Sequence, residues 1–258
     1  MRVEGAILLG LLLGASGCKT DQAARQAENM DKREPPAVAA LDPAMTGTLA
    51  GVITFKGKAP AKLRIDMNAD PACNKGGGEN DVEQYAVNKK GGLANVYVYV
   101  KSGLPPNVKF PPKTDVVVLD QKHCRYEPHV VAVQVGEPVE FRNSDATMHN
   151  VHTLPKMVGN SAADLSDPPM SPPQRQSYSQ PEEMLPVGCN NHPWMSAFIN
   201  VSASPFFAVT GADGKFEIHG LPPGIYTIVA VHEKMGEVAQ QVTIATQVTS
   251  RANFTFPQ

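Results

Sequence analysis

The chain has 258 residues, 42% of them hydrophobic and 19% charged, enough for one large or two small domains with a proper core. Its formal net charge of −2 leaves no basic footprint, which argues against nucleic acid as a partner. The 23 Pro and 21 Gly, set against few candidate helical runs, point to many short strands joined by turns.

The N-terminus reads as an export signal. Arg2 supplies a positive charge, residues 6–13 form an apolar run, and Gly14-Ala15-Ser16-Gly17 lead to Cys18. The run is too short for a permanent transmembrane helix. Small residues directly before a Cys resemble a bacterial lipobox, which implies a signal region over residues 1–18 and lipidation of Cys18. Lys19 after that Cys points to outer-membrane retention, and so to a periplasmic or cell-surface location. Residues 19–44 carry almost no large apolar side chains. They bury too little surface to offset their ordering entropy, and the expectation is a flexible tether.

From Gly47 the pattern is β. Residues 48–55 alternate and end in a Lys56-Gly57 turn, and residues 94–100 alternate again. Between them residues 70–81 form a Gly- and Asn-rich loop that carries Cys73. Apolar runs follow at 115–119 and 130–135, and Gly136-Glu137-Pro138 turns the chain into a strand over 139–142. Residues 152–188 are Pro-rich and largely without period, so the expectation is a long functional or mobile loop with at least one strand hidden near 176–179. Met157, Met170 and Met184 in this stretch read as gap-fillers. Four strands close the chain at 206–210, 215–218, 226–232 and 239–244, with turns at 211–214 and 220–224. No long amphipathic helix is expected.

The segment Cys189-Asn190-Asn191-His192-Pro193-Trp194-Met195 carries the chemistry. A thiolate, an imidazole and a thioether recur at three-residue intervals on one tight loop, and His149 and His152 lie upstream. One Cys, two His and a weakly bound axial Met are the ligand set of a blue-copper electron-transfer site. Spacing alone does not choose between His149 and His152: in an extended strand they point to opposite faces. Asn150 is a candidate hydrogen-bonder tying the two ligand segments together. Met148 precedes the ligand and reads as packing. Trp194 has two readings, a shield for the metal or docking surface and plain packing. The remaining histidines, His123, His129, His219 and His232, lack partners at metal spacing and read as solvated or packed.

Four cysteines need roles. With Cys18 assigned to the anchor and Cys189 to the metal, Cys73 and Cys124 remain as an even pair in an oxidising compartment, where a disulfide is expected. Two unrelated buried thiols are the alternative.

Two family resemblances rest on these motifs. Residues 115–202 resemble a cupredoxin, the Greek-key β-sandwich of small blue copper proteins. The resemblance is carried by Gly136-Glu137-Pro138-Val139-Glu140-Phe141, Asn143-Ser144-Asp145, His149-Asn150-Val151 and Cys189-x2-His192-x2-Met195. The Cys-x2-His-Pro-x-Met spacing is most similar to the amicyanins, and it implies His149, Cys189, His192 and Met195 as the four copper ligands. The 40 positions from His149 to Cys189 depart from that pattern through a Pro-rich insertion. The second resemblance is to carboxypeptidase-regulatory-like (transthyretin-like) domains. It rests on Thr210-Gly211-Ala212-Asp213-Gly214-Lys215-Phe216 and Gly220-Leu221-Pro222-Pro223-Gly224-Ile225-Tyr226, with 47–55 as a matching first strand.

Together they imply an all-β chain. Residues 45–112 with 205–258 would form the transthyretin-like sandwich, and residues 113–204 a cupredoxin domain inserted in it. The combination resembles methylamine-utilisation-like bacterial proteins, without implying methylamine as a substrate. The expected function is an exported blue copper protein passing single electrons between a redox protein donor and an acceptor, with no enzymatic activity of its own. Two alternatives stand beside it: a copper-carrying protein without a redox partner, and a cell-surface interaction module with a vestigial copper site. Intact Cys189, His192 and Met195 count against the last.

Overall fold

A computed structural model describes residues 42–75, 81–106, 108 and 110–257. The export signal, Cys18 and most of the expected tether lie outside the described residues. Among the described residues no helix is long and apolar enough to cross a membrane.

The chain is all-β, with several sheets in a sandwich-like arrangement. It enters through β1 (Gly47–Lys56) and, after a long connection, β2 (Tyr97–Ser102). Nine strands follow: β3 (Val117–Lys122), β4 (Arg125–Glu127), β5 (Val130–Gln134), β6 (Pro138–Asn143), β7 (His149–Thr153), β8 (Asp164–Asp167), β9 (Gln174–Ser177), β10 (Glu182–Gly188) and β11 (Ser196–Ser202). Six more complete the chain: β12 (Phe207–Val209), β13 (Lys215–Leu221), β14 (Gly224–His232), β15 (Gly236–Ile244), β16 (Thr249–Arg251) and β17 (Phe254–Pro257).

Strands from the two ends of the described chain build the first pair of sheets. One runs β13-β1-β16 with β17 also on β1, and the other β12-β2-β14-β15. Alternation in these strands turns Leu49, Ile53, Val98, Phe216, Ile228, Phe254 and Phe256 into one shared core. Burial of each such side chain contributes about 1.5–3 kcal/mol before entropy is counted. The last two strands, absent from the expected set, lie parallel to β1, and the link between them crosses past Gly51. A Cβ on Gly51 would stand 1.7 Å from the Ala252 carbonyl, so only glycine admits that crossing.

The middle nine strands build the second pair of sheets, β5-β11-β10-β7-β8 facing β4-β3-β6-β9. Leu119, Tyr126, Val133, Phe141, Val151, Leu185 and Ile199 fill the space between them. A third cluster joins the two halves: Tyr97, Val229 and Val231 pack with Ala132 and Met184.

The stretch 152–188 is not one long loop. It holds β8, β9 and β10: β9 lies close to the strand expected near 176–179, β8 is short and polar, and the apolar alternation of β10 is brief, at Leu185 and Val187 around Pro186. Nor are its methionines gap-fillers throughout. Met184 packs in the joining cluster, but Met157 is half-exposed and Met170 is 94% exposed.

Candidate metal centre

His149 opens β7, and β7 pairs with β10 through Gly188↔His152 and Val187↔Thr153. That register sets the start of β7 beside the end of β10, where Cys189 follows directly. The chain then turns, with the Met195 N–H donating to the His192 carbonyl at 2.9 Å, and re-enters the sheet as β11. One strand start and one tight loop thus converge at the same end of the sandwich.

The structure brings His149, Cys189 and His192 together. Their ligand atoms all lie within 4.8 Å of one another, and all three residues are buried. The two Nδ1 atoms are 3.0 Å apart, and Cys189 Sγ lies 3.6 Å from His192 Nδ1. Met195 is 2% exposed and belongs to the same apolar cluster as Cys189. His152 is not part of the group: its Nδ1 meets Asn190 Oδ1 at 2.9 Å on the more exposed side. Met148 is 45% exposed and does not pack into the core, a correction to its sequence reading.

Both imidazoles are anchored from behind. His149 Nε2 lies 2.9 Å from Asp145 Oδ2, and His192 Nε2 lies 2.9 Å from Asp70 Oδ2. An ionised carboxylate can only accept, so each ring donates through Nε2 and aims Nδ1 inward. Two inward lone pairs at 3.0 Å beside a sulfur repel unless positive charge lies among them. Without metal, a proton meets that need. Burial opposes a charged His149, but the Asp145 carboxylate and the Cys189 sulfur outweigh it and raise its pKa to about 9. Burial likewise pushes the Cys189 thiol up, yet the contacts of its sulfur with the His149 and His192 rings and with the Asn150 and Asn191 backbones bring it down to about 6. The sulfur is therefore largely thiolate at neutral pH, the form that binds metal.

The donor set fits a soft, borderline metal. A thiolate, two imidazoles and a buried thioether match copper, whereas a closed zinc site would not ordinarily recruit a thioether. Two further clusters of metal-ligating atoms include Cys73 or Cys124. Those sulfurs are bonded to each other in a disulfide and are not free to ligate.

Around the donors the supporting bonds are dense. Asn150 Oδ1 accepts from the Asn190 N–H at 3.2 Å, which ties the two ligand segments together. The Tyr126 hydroxyl reaches the carbonyls of Asn150 and Gly188. Trp194 lies with its ring centroid 5.1 Å from that of His192, and its Nε1 donates to the Cys124 carbonyl at 3.1 Å. Asp70 and Tyr126 were not singled out in sequence, and Asp145 only as part of the Asn143-Ser144-Asp145 motif, without a role. Asp145 had a usable signal, standing four residues before His149; Asp70, 122 positions from His192, had none.

The other histidines occupy ordinary positions. His129 is buried between the Ser196 carbonyl and Glu233, and His232 is buried between the rings of Tyr85 and Phe256. His123 and His219 pair with Glu127 and Glu217 at the surface.

No family model matches the chain, and no curated protein matches it. Among solved structures, it is similar over 35% of its length to a copper-containing nitrite reductase from Thermus scotoductus SA-01, at 21% identity and a TM-score of 0.31. That match spans 23% of the reductase chain. An oxidised amicyanin point mutant matches 41% of this chain and 98% of its own, at 20% identity and a TM-score of 0.31. A second amicyanin mutant, in a Cu(I) form, matches 34% of this chain and 82% of its own, at 25% identity and a TM-score of 0.29. Likeness at this level leaves the site to be judged on this chain's own donor atoms.

Proposed function

We propose that this chain is an exported blue copper protein that carries single electrons between a redox donor and an acceptor. The observation that supports it is the pair of inward Nδ1 atoms, 3.0 Å apart beside the Cys189 sulfur, each ring fixed from behind by a carboxylate. Copper bound there would supply a one-electron Cu(II)/Cu(I) couple. The protein's part is to hold the ligands still through that change. His149 is set by a strand, Cys189 and His192 share one short loop, and neither imidazole can move without breaking the hydrogen bond behind it. Met195 is the proposed axial ligand, tuning potential more than retention.

Four protein donors leave no open position, which favours outer-sphere transfer over substrate chemistry. An open cleft of about 440 Å³ lined by Asp70, Met148, Asn191, His192 and Trp194 is the proposed side of approach for a redox partner. Carriage of copper without a redox partner would use the same donors. The near-complete burial of His149, Cys189 and His192 favours retention instead.

The test is the optical and EPR spectrum after adding Cu(II) to the purified protein. An intense visible thiolate-to-copper band with narrow copper hyperfine splitting is expected. Weak colour with an ordinary tetragonal signal would favour carriage, and absence of binding would overturn both.

A further inference from the structure

The Cys73–Cys124 disulfide lies beside the donor cluster, with sulfur and the His192 ring nitrogen within 4.8 Å. Each of its two halves leads to one of the carboxylates behind the histidines. On one side Asp70 stands three residues before Cys73, and the Cys73 N–H donates to the Asp70 carbonyl at 3.0 Å. Asp70 Oδ1 accepts from the Ala72 N–H at 2.8 Å, leaving Oδ2 for His192 Nε2 and the Thr147 hydroxyl, both at 2.9 Å. On the other side the N–H groups of His123 and Cys124 donate to the two oxygens of Asp145, each at 2.8 Å. Oδ2 of that carboxylate is the atom that faces His149 Nε2.

The segment bearing Asp70 belongs to none of the nine strands around the site. It arrives from the connection between β1 and β2, and besides the disulfide it is held by Met67, 2% exposed in the core of the second sandwich. A staple whose only task was to shorten the unfolded chain would not need both ends bound to the groups that orient the candidate ligands.

We propose that Asp70 is a positioning residue for His192 and that the Cys73–Cys124 disulfide is the brace that holds Asp70 and Asp145 in place behind the two imidazoles. This rests on the copper reading for its consequence but not for its geometry. With the brace intact, His192 keeps its proton on Nε2 and presents Nδ1 to the metal. Without it, the segment from Met67 to Cys73 loses its covalent fastening, and the His192 ring is free to turn.

The experiment has two readouts on the full protein. The first needs no metal: long-range proton–nitrogen NMR correlations assign the His192 tautomer. Nε2–H is expected in the wild type and a mixed or Nδ1–H form in Asp70→Ala. The second is the rate at which EDTA strips copper from the loaded protein. Asp70→Ala should strip about 10- to 100-fold faster, the range typical for losing such a supporting group. Asp70→Asn, which keeps an acceptor, should lie nearer the wild type, and Cys73→Ser with Cys124→Ser should strip faster as Asp70→Ala does. Thr147→Val removes the other contact of the same carboxylate oxygen and should change little.

A wild-type rate and tautomer in Asp70→Ala would overturn the positioning role. Thr147→Val matching Asp70→Ala in full would do the same, by reducing the carboxylate to a loop anchor. An unchanged rate in the double Cys variant would overturn the brace. Failure of the wild type to take copper, with Nε2–H found on His192, would instead remove the electron-transfer reading and leave the positioning role standing.

Discussion

The Tyr126 hydroxyl lies 2.6 Å from the carbonyl of Asn150, the residue after His149, and 2.9 Å from the carbonyl of Gly188, the residue before Cys189. One buried O–H on β4 therefore spans the two chain segments that bring the donors together, from the opposite sheet. Tyr126→Phe keeps the ring in the core and leaves both carbonyls without that donor. It should cost about 1–2 kcal/mol in urea unfolding, the usual range for a buried hydrogen bond with partners left behind. An unchanged midpoint would show that the hydroxyl is not a structural tie.

Cys189→Ser should abolish the visible band and leave the far-ultraviolet circular dichroism unchanged, because the sulfur is proposed as a copper donor and Ser is a close steric match. Retained colour would sink its assignment as a ligand. Met195→Leu is close in volume and apolar, so it should retain copper and shift the reduction potential. An unchanged potential, read by cyclic voltammetry, would mean that Met195 is not axial.

The Cys73–Cys124 bond closes a loop of 51 positions. Loop-closure entropy assigns such a bond about 4 kcal/mol of stability. Thiol labelling of the denatured, non-reduced protein should detect neither cysteine. Reduction should lower the thermal midpoint; equal midpoints before and after would contradict the entropy argument.

His232 predicts a pH dependence of folding stability. Burial depresses its pKa from 6.5 to about 4, and its Nδ1 accepts the Lys234 N–H, which also favours the neutral ring. The unfolded chain takes up the proton near pH 6.5 and the folded one only near pH 4. Between those values the unfolded state binds more protons, so stability falls as the pH falls through that window and levels off below it. The contribution is on the order of 3 kcal/mol across the window. His232→Phe, which preserves the ring contacts with Tyr85 and Phe256, should flatten this slope in urea titrations at several pH values. A slope that persists in the variant would assign it to other groups.

Much of the strand pattern was legible because burial on one face writes an alternation into the sequence. Residues 48–55, 130–135 and 226–232 carry that alternation or an unbroken apolar run, and all three are strands. β8 and β16 are short and polar, and their backbone pairing is set by neighbours elsewhere in the chain. Nothing local announces them. The loop 189–195 was legible for a different reason: donor atoms that act together at three-residue spacing must be close in sequence if one turn is to present them.

By itself the sequence determined an all-β chain, the even pair Cys73 and Cys124, and the donor types on the 189–195 loop with a histidine upstream. The tertiary structure decided which histidine stands beside Cys189 and His192. The β7–β10 register turns His149 inward and leaves His152 beside Asn190. It also decided what stands behind the rings. Asp70 reaches His192 across 122 positions, a contact made by chain folding and fastened by a disulfide, and no local periodicity encodes a contact of that range.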